Sequence, residues 1–184
     1  MKKYVDLIKD VGKIKRVKRS GWVREGIVNA ESVADHSYRT AVMAMIFGDN
    51  LNVDINKLIK MILLHDLGEG SIGDKVVERG SKIDIRSRED KDNEEIEAVK
   101  KIFSVIEKGD EIASLQEESS KMESAEAKIL KQIERLEMAV QALEYEEETG
   151  KDLSEFFDNA AMHITDDFLK SILAEVISSR IKRT

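Results

Sequence analysis

The sequence predicts an all-α protein with one domain spanning residues 1–184. Its 184 residues suit a single globular domain. Apolar residues recur every three or four positions along most of the chain, which is the spacing of one helix face. No useful stretch alternates β-branched and polar residues as a half-buried strand would. We therefore expect a bundle of about six to eight helices, with the motif-bearing part in about 18–148 and C-terminal helices in 152–183.

Three helices are predicted in the first part of the chain. The first ends before a loop at residues 19–22. Ser32, followed three positions later by Asp35, resembles a capping box that begins the second helix, and Gly48 lies near its end. Asp54 is expected to cap the third helix. Their apolar faces are Leu7, Ile8, Val11 and Ile14; Ala41, Ala44, Met45 and Phe47; and Ile55, Leu58, Ile59, Ile62 and Leu63.

Glycines at positions 68, 70 and 73 break the chain after the third helix. Residues 75–92 are polar without clear periodicity and are interpreted as a loop or a short irregular helix. The longest helix is predicted over about 124–148, with Thr149 and Gly150 as its end. Three more helices are predicted from Ile96, Val99, Ile102 and Ile106; from Leu153, Phe156 and Phe157; and from Phe168, Leu169, Ile172, Leu173, Val176 and Ile177.

The charge balance limits the possible partners. The chain has 30 Lys and Arg against 37 Asp and Glu, a net charge of −7, which argues against binding to a nucleic-acid polymer. No apolar run approaches the ~20 residues that cross a bilayer, and Asp6 lies where a secretory signal would be apolar. We therefore expect no membrane partner and a cytoplasmic location. Residues 1–24 are basic, either as a small phosphate-binding patch or as solvated lysines on a helix.

The absence of cysteine excludes thiolate chemistry, so any metal must be bound by His, Asp and Glu. The three histidines are His36, His65 and His163, and we assign no chemical role to His163. The segment 63–74, LLHDLGEGSIGD, ends an apolar helix in His65 and Asp66 and adds two carboxylates in a glycine-rich turn. His36 is the natural third ligand. The simpler alternative is a capping histidine beside a surface aspartate.

Four motifs in order resemble the HD-domain metal-dependent phosphohydrolases, and more narrowly their 5'-deoxynucleotidase branch. The resemblance spans about residues 5–150. The motifs are Gly21-Trp22-Val23, Glu31-Ser32-Val33-Ala34-Asp35-His36-Ser37, His65-Asp66-Leu67-Gly68-Glu69 with Gly73-Asp74, and Glu137-Met138-Ala139-Val140-Gln141-Ala142-Leu143-Glu144-Tyr145.

The resemblance implies four metal ligands: His36, His65, Asp66 and Glu134. Glu134 stands where the family generally has aspartate, and its longer side chain carries the same carboxylate. Two alternatives stay open: that Glu134 is an ordinary exposed helix residue, and that Glu137 ligates instead. Two nitrogen and two oxygen ligands suit one divalent transition metal such as Mn, Fe, Co, Ni or Zn.

The resemblance also implies the residues that act on the substrate. Glu69 is expected to be the acid/base partner of the reacting water, and Asp74 a catalytic contact to the sugar. Arg19 is the best candidate to bind and neutralise the phosphate because a guanidinium matches phosphate oxygens, although Lys18 or Arg24 are alternatives. Trp22 either stacks on the nucleoside or anchors the core.

These features predict a metal-dependent phosphomonoesterase that hydrolyses nucleoside 5'-monophosphates, with deoxyribonucleotides implied by the resemblance. One alternative keeps the metal but cleaves a phosphodiester or a nucleoside triphosphate. Another is a non-catalytic helical protein that binds a nucleotide or a partner. The predicted partners are a small nucleotide substrate and, from the family resemblance, a second copy of the chain in a homodimer or higher homo-oligomer.

Overall fold

The computed structural model describes residues 1–75, 78–79, 82–83 and 85–181. Within them the helices are joined by loops, and the only strands among these residues are two short antiparallel ones, β1 (Glu78–Arg79) and β2 (Lys82–Ile83). The α-helices are α1 (Lys2–Val11), α2 (Ser20–Arg24), α3 (Val33–Phe47), α4 (Ile55–His65), α5 (Glu69–Ile72), α6 (Ile85–Phe103), α7 (Gly109–Ser120), α8 (Ala125–Thr149), α9 (Ser154–His163) and α10 (Asp167–Ile181). Short 3₁₀ turns cover Gly12–Arg16 and Gly48–Asn50.

The all-α prediction is confirmed. Eight of the helices in the described part of the chain have ten or more residues, which agrees with the six to eight expected, and α2 and α5 are short. No helix among the described residues is both long and apolar enough to cross a membrane.

The predicted helix ends at α3, α4 and α8 are also confirmed. Ser32 Oγ accepts a hydrogen bond from the backbone N–H of Asp35, and the backbone N–H of Ser32 donates to the Asp35 carboxylate, which completes the capping box. Asp54 accepts hydrogen bonds from the first backbone N–H groups of α4. Gly150 ends α8 in the left-handed conformation at φ +68°.

Three elements differ from the sequence-based expectation. α2 forms within the expected loop at 19–22, and α6 begins at Ile85, inside the segment 75–92, part of which lies outside the described residues. α7 was not predicted at all. Its buried face includes the polar side chains Gln116 and Ser119, so the apolar periodicity that reveals a helix is weak there.

Two hydrophobic clusters form the core. The larger one surrounds α8, which packs against α3, α4, α7, α9 and α10. The smaller one lies under α1 and between α6 and α7. Ile62 belongs to the first cluster and Leu64 to the second, so the end of α4 lies where the two meet. Each fully buried aliphatic side chain contributes roughly 1.5–3 kcal/mol, and this burial stabilises the packed position of the end of α4.

The expected apolar faces are wider than the faces that pack. Ile8 is 69% exposed and Met45 is 65% exposed, and Leu63 is exposed as well. α1 buries no residue completely, because it lies on the surface of the smaller cluster. The helical period was predicted correctly. How much of each apolar face is buried depends on which neighbouring helix covers it.

Candidate metal centre

Three of the four expected ligands meet at one point. His36 lies in the first turn of α3, His65 is the last residue of α4, and Asp66 follows it. All three are buried, and one ligand atom from each lies within 4.8 Å of the others. α3 packs against α4, which brings the two imidazole rings to a centroid separation of 5.7 Å. Their role as ligands stays a prediction, but their convergence is a feature of the fold.

The two imidazoles present free nitrogens to this point. His36 Nδ1 is 2.5 Å from Glu137 Oε2, and His65 Nδ1 is 2.6 Å from the carbonyl oxygen of Ile62. Both Nε2 atoms are buried and have no hydrogen-bond partner among the described residues. His65 Nε2 lies 3.2 Å from Asp66 Oδ2, and two ligand atoms on one ion at ~2.1 Å would lie a similar distance apart. A divalent cation therefore fits this donor set.

In the absence of a cation, the charges around His36 favour its protonated form. Burial lowers the pKa of His36, whereas the carboxylates of Glu137 and Asp66 raise it, and the pKa lies above its ordinary value. A metal ion at Nε2 would displace that proton, because a ligating imidazole must be neutral there.

Glu134 lies beside the cluster on α8 rather than within it. Its side chain lines the same pocket as His65 and Asp66, and its Oε2 is 3.0 Å from Lys131 Nζ. It is 7% exposed, so the alternative that it is an ordinary exposed helix residue is wrong. Burial raises the pKa of Glu134, but Lys131 and His65 lower it further, and the carboxylate stays ionised.

Arg19 lies among carboxylates directly before α2. Its Nη1 is 3.0 Å from Asp66 Oδ2, 3.8 Å from Glu69 Oε2 and 3.9 Å from Asp74 Oδ2. The backbone N–H of Ser20 donates to Asp74 at 2.7 Å, which ties the loop after α5 to the start of α2. The two alternative cations have other partners, although Arg24 lines the same pocket as Arg19. Lys18 Nζ donates to the Ala30 carbonyl oxygen, and Arg24 pairs with Glu25 and Glu155.

Trp22 is packed into the protein. Its indole is 1% exposed, lies 4.1 Å from the Phe156 ring and 5.3 Å from the Tyr145 ring, and donates from Nε1 to Glu31. These contacts are those of a core anchor. Because Trp22 also forms part of the pocket wall, its contact with a nucleoside stays a prediction.

Sequence reasoning missed the contribution of α6. Lys91 Nζ lies 2.8 Å from Glu69 Oε1 and 3.3 Å from Glu95 Oε1. Burial and the charge of Asp66 raise the pKa of Glu69 to about 9, and burial raises the pKa of Glu95 to about 7. The available signal was a Lys and a Glu four positions apart in a highly charged stretch, which is also the pattern of a solvated helix face.

The role of Glu137 was also missed. The sequence offered it only as a substitute ligand, but its two oxygens are used by His36 Nδ1 and by Arg39 Nε at 2.8 Å. A carboxylate on the far nitrogen of a metal-binding histidine is a common supporting partner. No local signal could have shown this, because 101 positions separate His36 from Glu137.

Comparison with known proteins agrees with this geometry. The family model described as "HD domain" matches residues 11–177. The chain is 37% identical over 175 residues to the 5'-deoxynucleotidase HDDC2 of Homo sapiens, covering 92% of this chain and 82% of the human protein. It is 34% identical to the 5'-deoxynucleotidase HDDC2 of Dictyostelium discoideum, covering 98% of this chain and 100% of that one.

A solved structure of a conserved hypothetical protein from Pyrococcus furiosus has the same fold. Its TM-score to this chain is 0.77 at 33% identity, over 95% of this chain and 99% of that one. The match to the family model, together with the identity to relatives over most of the chain and the shared fold, shows that this chain belongs to the HD domain family.

Proposed function

We propose that this protein is a metal-dependent phosphomonoesterase that hydrolyses nucleoside 5'-monophosphates, with deoxyribonucleotides as its preferred substrates. The observation that carries the proposal is the convergence of His36, His65 and Asp66 beside a pocket that His65 and Asp66 line, with two buried imidazole nitrogens that have no hydrogen-bond partner among the described residues. Relatives that match over most of the chain are named 5'-deoxynucleotidases, which supports the same substrate class here.

The proposed ligands of a single divalent ion are His36, His65, Asp66 and Glu134. Burial and a persistent negative charge beside the cluster support the inclusion of Glu134. Nitrogen and oxygen donors without sulfur suit Mn, Fe, Co, Ni or Zn. A divalent ion held there would supply Lewis-acid polarisation of the phosphoryl oxygens and lower the pKa of water nearby.

The protein side chains supply the remaining steps. Arg19, which already lies beside Asp66, neutralises the charge of the phosphate. Glu69 orients the attacking water and exchanges its proton, because its Oε2 is buried and has no hydrogen-bond partner among the described residues. Asp74, held by Ser20, contacts the sugar, and the wall at Trp22 contacts the nucleoside.

The proposal also includes a single domain over residues 1–184, a homodimer or higher homo-oligomer, and a cytoplasmic location. These follow from the sequence-based predictions and are independent of the chemistry. Size-exclusion chromatography with light scattering measures the oligomeric state directly.

A phosphate-release screen tests the function. The protein, purified without chelator, is assayed with deoxyribonucleoside and ribonucleoside mono-, di- and triphosphates and a phosphodiester, each with Mn, Co, Ni or Zn added. We expect free phosphate from the monophosphates. Selective turnover of a triphosphate or diester would favour the other phosphohydrolase functions, and no turnover with any metal would favour a binding protein.

The variant Asp66→Ala tests the site. It removes a carboxylate that lies within 4.8 Å of ligand atoms on both imidazoles, so we expect both metal content and phosphate release to be lost. Asp49→Ala, at an exposed aspartate after α3, is the control and should behave as the parent protein. Circular dichroism checks that both variants keep their helices. Full activity in Asp66→Ala would refute the proposed centre.

A further inference from the structure

Lys91 carries a buried ammonium group on which three carboxylates converge. Its Nζ lies 2.8 Å from Glu69 Oε1, 3.3 Å from Glu95 Oε1 and 3.7 Å from Asp74 Oδ1. The lysine side chain is 15% exposed, and the three acid side chains are less exposed still. Two of the acids, Glu69 and Asp74, are proposed here as catalytic, and neither the motifs nor the proposed mechanism gives Lys91 a role.

The packing of α5 against α6 determines where Lys91 lies. A Cβ atom at Gly68 would come within 2.8 Å of both Cα and the carbonyl oxygen of Glu95, so the two backbones touch at this glycine. Lys91 lies one helical turn before Glu95 on α6, and Glu69 directly follows Gly68. The close backbone contact therefore holds the ammonium group against the Glu69 carboxylate.

The contact leaves the two oxygens of Glu69 in different states. Oε1 accepts the hydrogen bond from Lys91, whereas Oε2 is buried with no hydrogen-bond partner among the described residues. Arg19 Nη1 lies 3.8 Å from Glu69 Oε2 and 3.0 Å from Asp66 Oδ2, so it lies close to both carboxylates. One oxygen is thus bonded to α6, and the other lies near the arginine that pairs with the predicted ligand Asp66.

We propose that Lys91 is a positioning residue that holds Glu69 by Oε1 and so directs Oε2 at the reacting water. The inference rests on the proposed function, because it assigns Lys91 to the acid/base step of that reaction. The alternative is that Lys91 binds the substrate phosphate itself. Its ammonium nitrogen already lies within 3.7 Å of oxygens from three carboxylates and donates a hydrogen bond to Glu69, which favours the positioning role.

The two roles predict different kinetics. Lys91→Met should lower kcat by about 10- to 100-fold, because a small displacement of a catalytic group can cost that much, and should change KM by less than about twofold. A direct phosphate contact would instead raise KM. Lys91→Arg keeps the charge and should recover most of the activity. Lys100→Met, at a half-exposed lysine on the same helix, is the matched control and should leave both constants unchanged.

A double-mutant cycle tests whether Lys91 acts through Glu69. In a Glu69→Gln background, Lys91→Met should lower kcat by less than about twofold further, because the group it positions has gone. Equal losses in both backgrounds, or a rise in KM with unchanged kcat, would overturn the inference. If Lys91→Met does not fold, the same cycle is run with Lys91→Gln, which removes the charge but keeps an NH2 donor group, and the same outcomes decide the question.

Thermal melting of the metal-free proteins makes the test independent of catalysis. The Tm shifts of Lys91→Met and Glu69→Gln should be clearly non-additive in the double variant if the two side chains are paired. Additive shifts would overturn the inference even in an active enzyme. Conversely, a parent protein that releases no phosphate from any substrate would refute the proposed function, while the melting cycle still decides whether the pair exists.

Discussion

The buried acids of the centre each have a different electrostatic partner, and the partner determines what the acid can do. Glu134 lies beside Lys131 and stays ionised. Burial and the charge of Asp66 raise the pKa of Glu69 to about 9, although the charge of Lys91 acts in the opposite direction. Glu137 is lowered in pKa: burial opposes ionisation, but His36 and Arg39 favour it. Carboxylates of the same type within one site are therefore suited to ligation, proton transfer and histidine support respectively.

The support of His36 by Glu137 leads to a prediction about metal affinity. Glu137→Ala leaves His36 Nδ1 without its partner, so the imidazole loses its fixed orientation. We expect the affinity for Mn or Zn to fall by about 10- to 100-fold, measured by competition with a chromogenic chelator.

Glu144→Gln is the matched control for this prediction. Glu144 also bonds Arg39 from α8 but does not touch His36, so its substitution should leave metal affinity within about twofold of the parent. If Glu137→Ala binds metal as tightly as the parent protein, the carboxylate does not orient the histidine.

At the scale of elements, the centre is an assembly of helix ends placed against one long helix. α4 ends at His65, α5 begins at Glu69, and α3 contributes its first turn. α8 crosses beside them and presents Glu134, Glu137 and Gln141, which its spacing of three and four places on one face. α6 packs against the chain at Gly68, where the backbones of Gly68 and Glu95 are in close contact. The position of the α6 backbone therefore controls whether Lys91 reaches Glu69.

Gly68→Ala tests this arrangement. The added Cβ would meet the Glu95 backbone at 2.8 Å, and backbone cannot yield as a flexible side chain would. We expect a destabilisation of about 1–3 kcal/mol in urea unfolding and a loss of phosphate release, because α6 must move outward.

Gly12→Ala is the control for Gly68→Ala. It places its Cβ in open space at φ −71°, so the free energy of unfolding should be unchanged or slightly raised. Equal stability of the Gly68→Ala and parent proteins would show that α5 and α6 are not in close contact.

At the scale of the whole molecule, the predicted metal would bind where both hydrophobic clusters meet. Its proposed ligands lie on α3, at the end of α4 and on α8, so the binding energy would couple these helices together. An ion that binds only the folded state stabilises it by mass action, by about 2.7 kcal/mol at a free concentration 100 times Kd.

Metal removal should therefore lower the melting temperature. We expect chelation to reduce Tm by several degrees in differential scanning calorimetry, and added Mn or Zn to restore it. Asp66→Ala should melt at the same temperature with and without metal. A parent Tm that is insensitive to chelator and metal would contradict a structural contribution of the ion.

The sequence by itself determined the features that depend on local spacing. These are the helical period, the capping box at Ser32, the break after Asp66, and the motifs that indicated the HD domain family, which is confirmed. It also placed His36, His65 and Asp66 in one candidate site. Each of these features is set within a few residues of chain or by a recognisable motif, so it can be found before the chain is folded.

Only the tertiary structure decided which distant side chains touch. Glu137 meets His36, Lys91 meets Glu69, and Trp22 is packed into the core because helices rotate about their axes until their apolar faces interlock. The orientation of each helix about its axis, including those of α6 and α7, depends on the sum of many packing contacts. No spacing along the chain encodes it, and so the supporting residues of the centre emerged only from the fold.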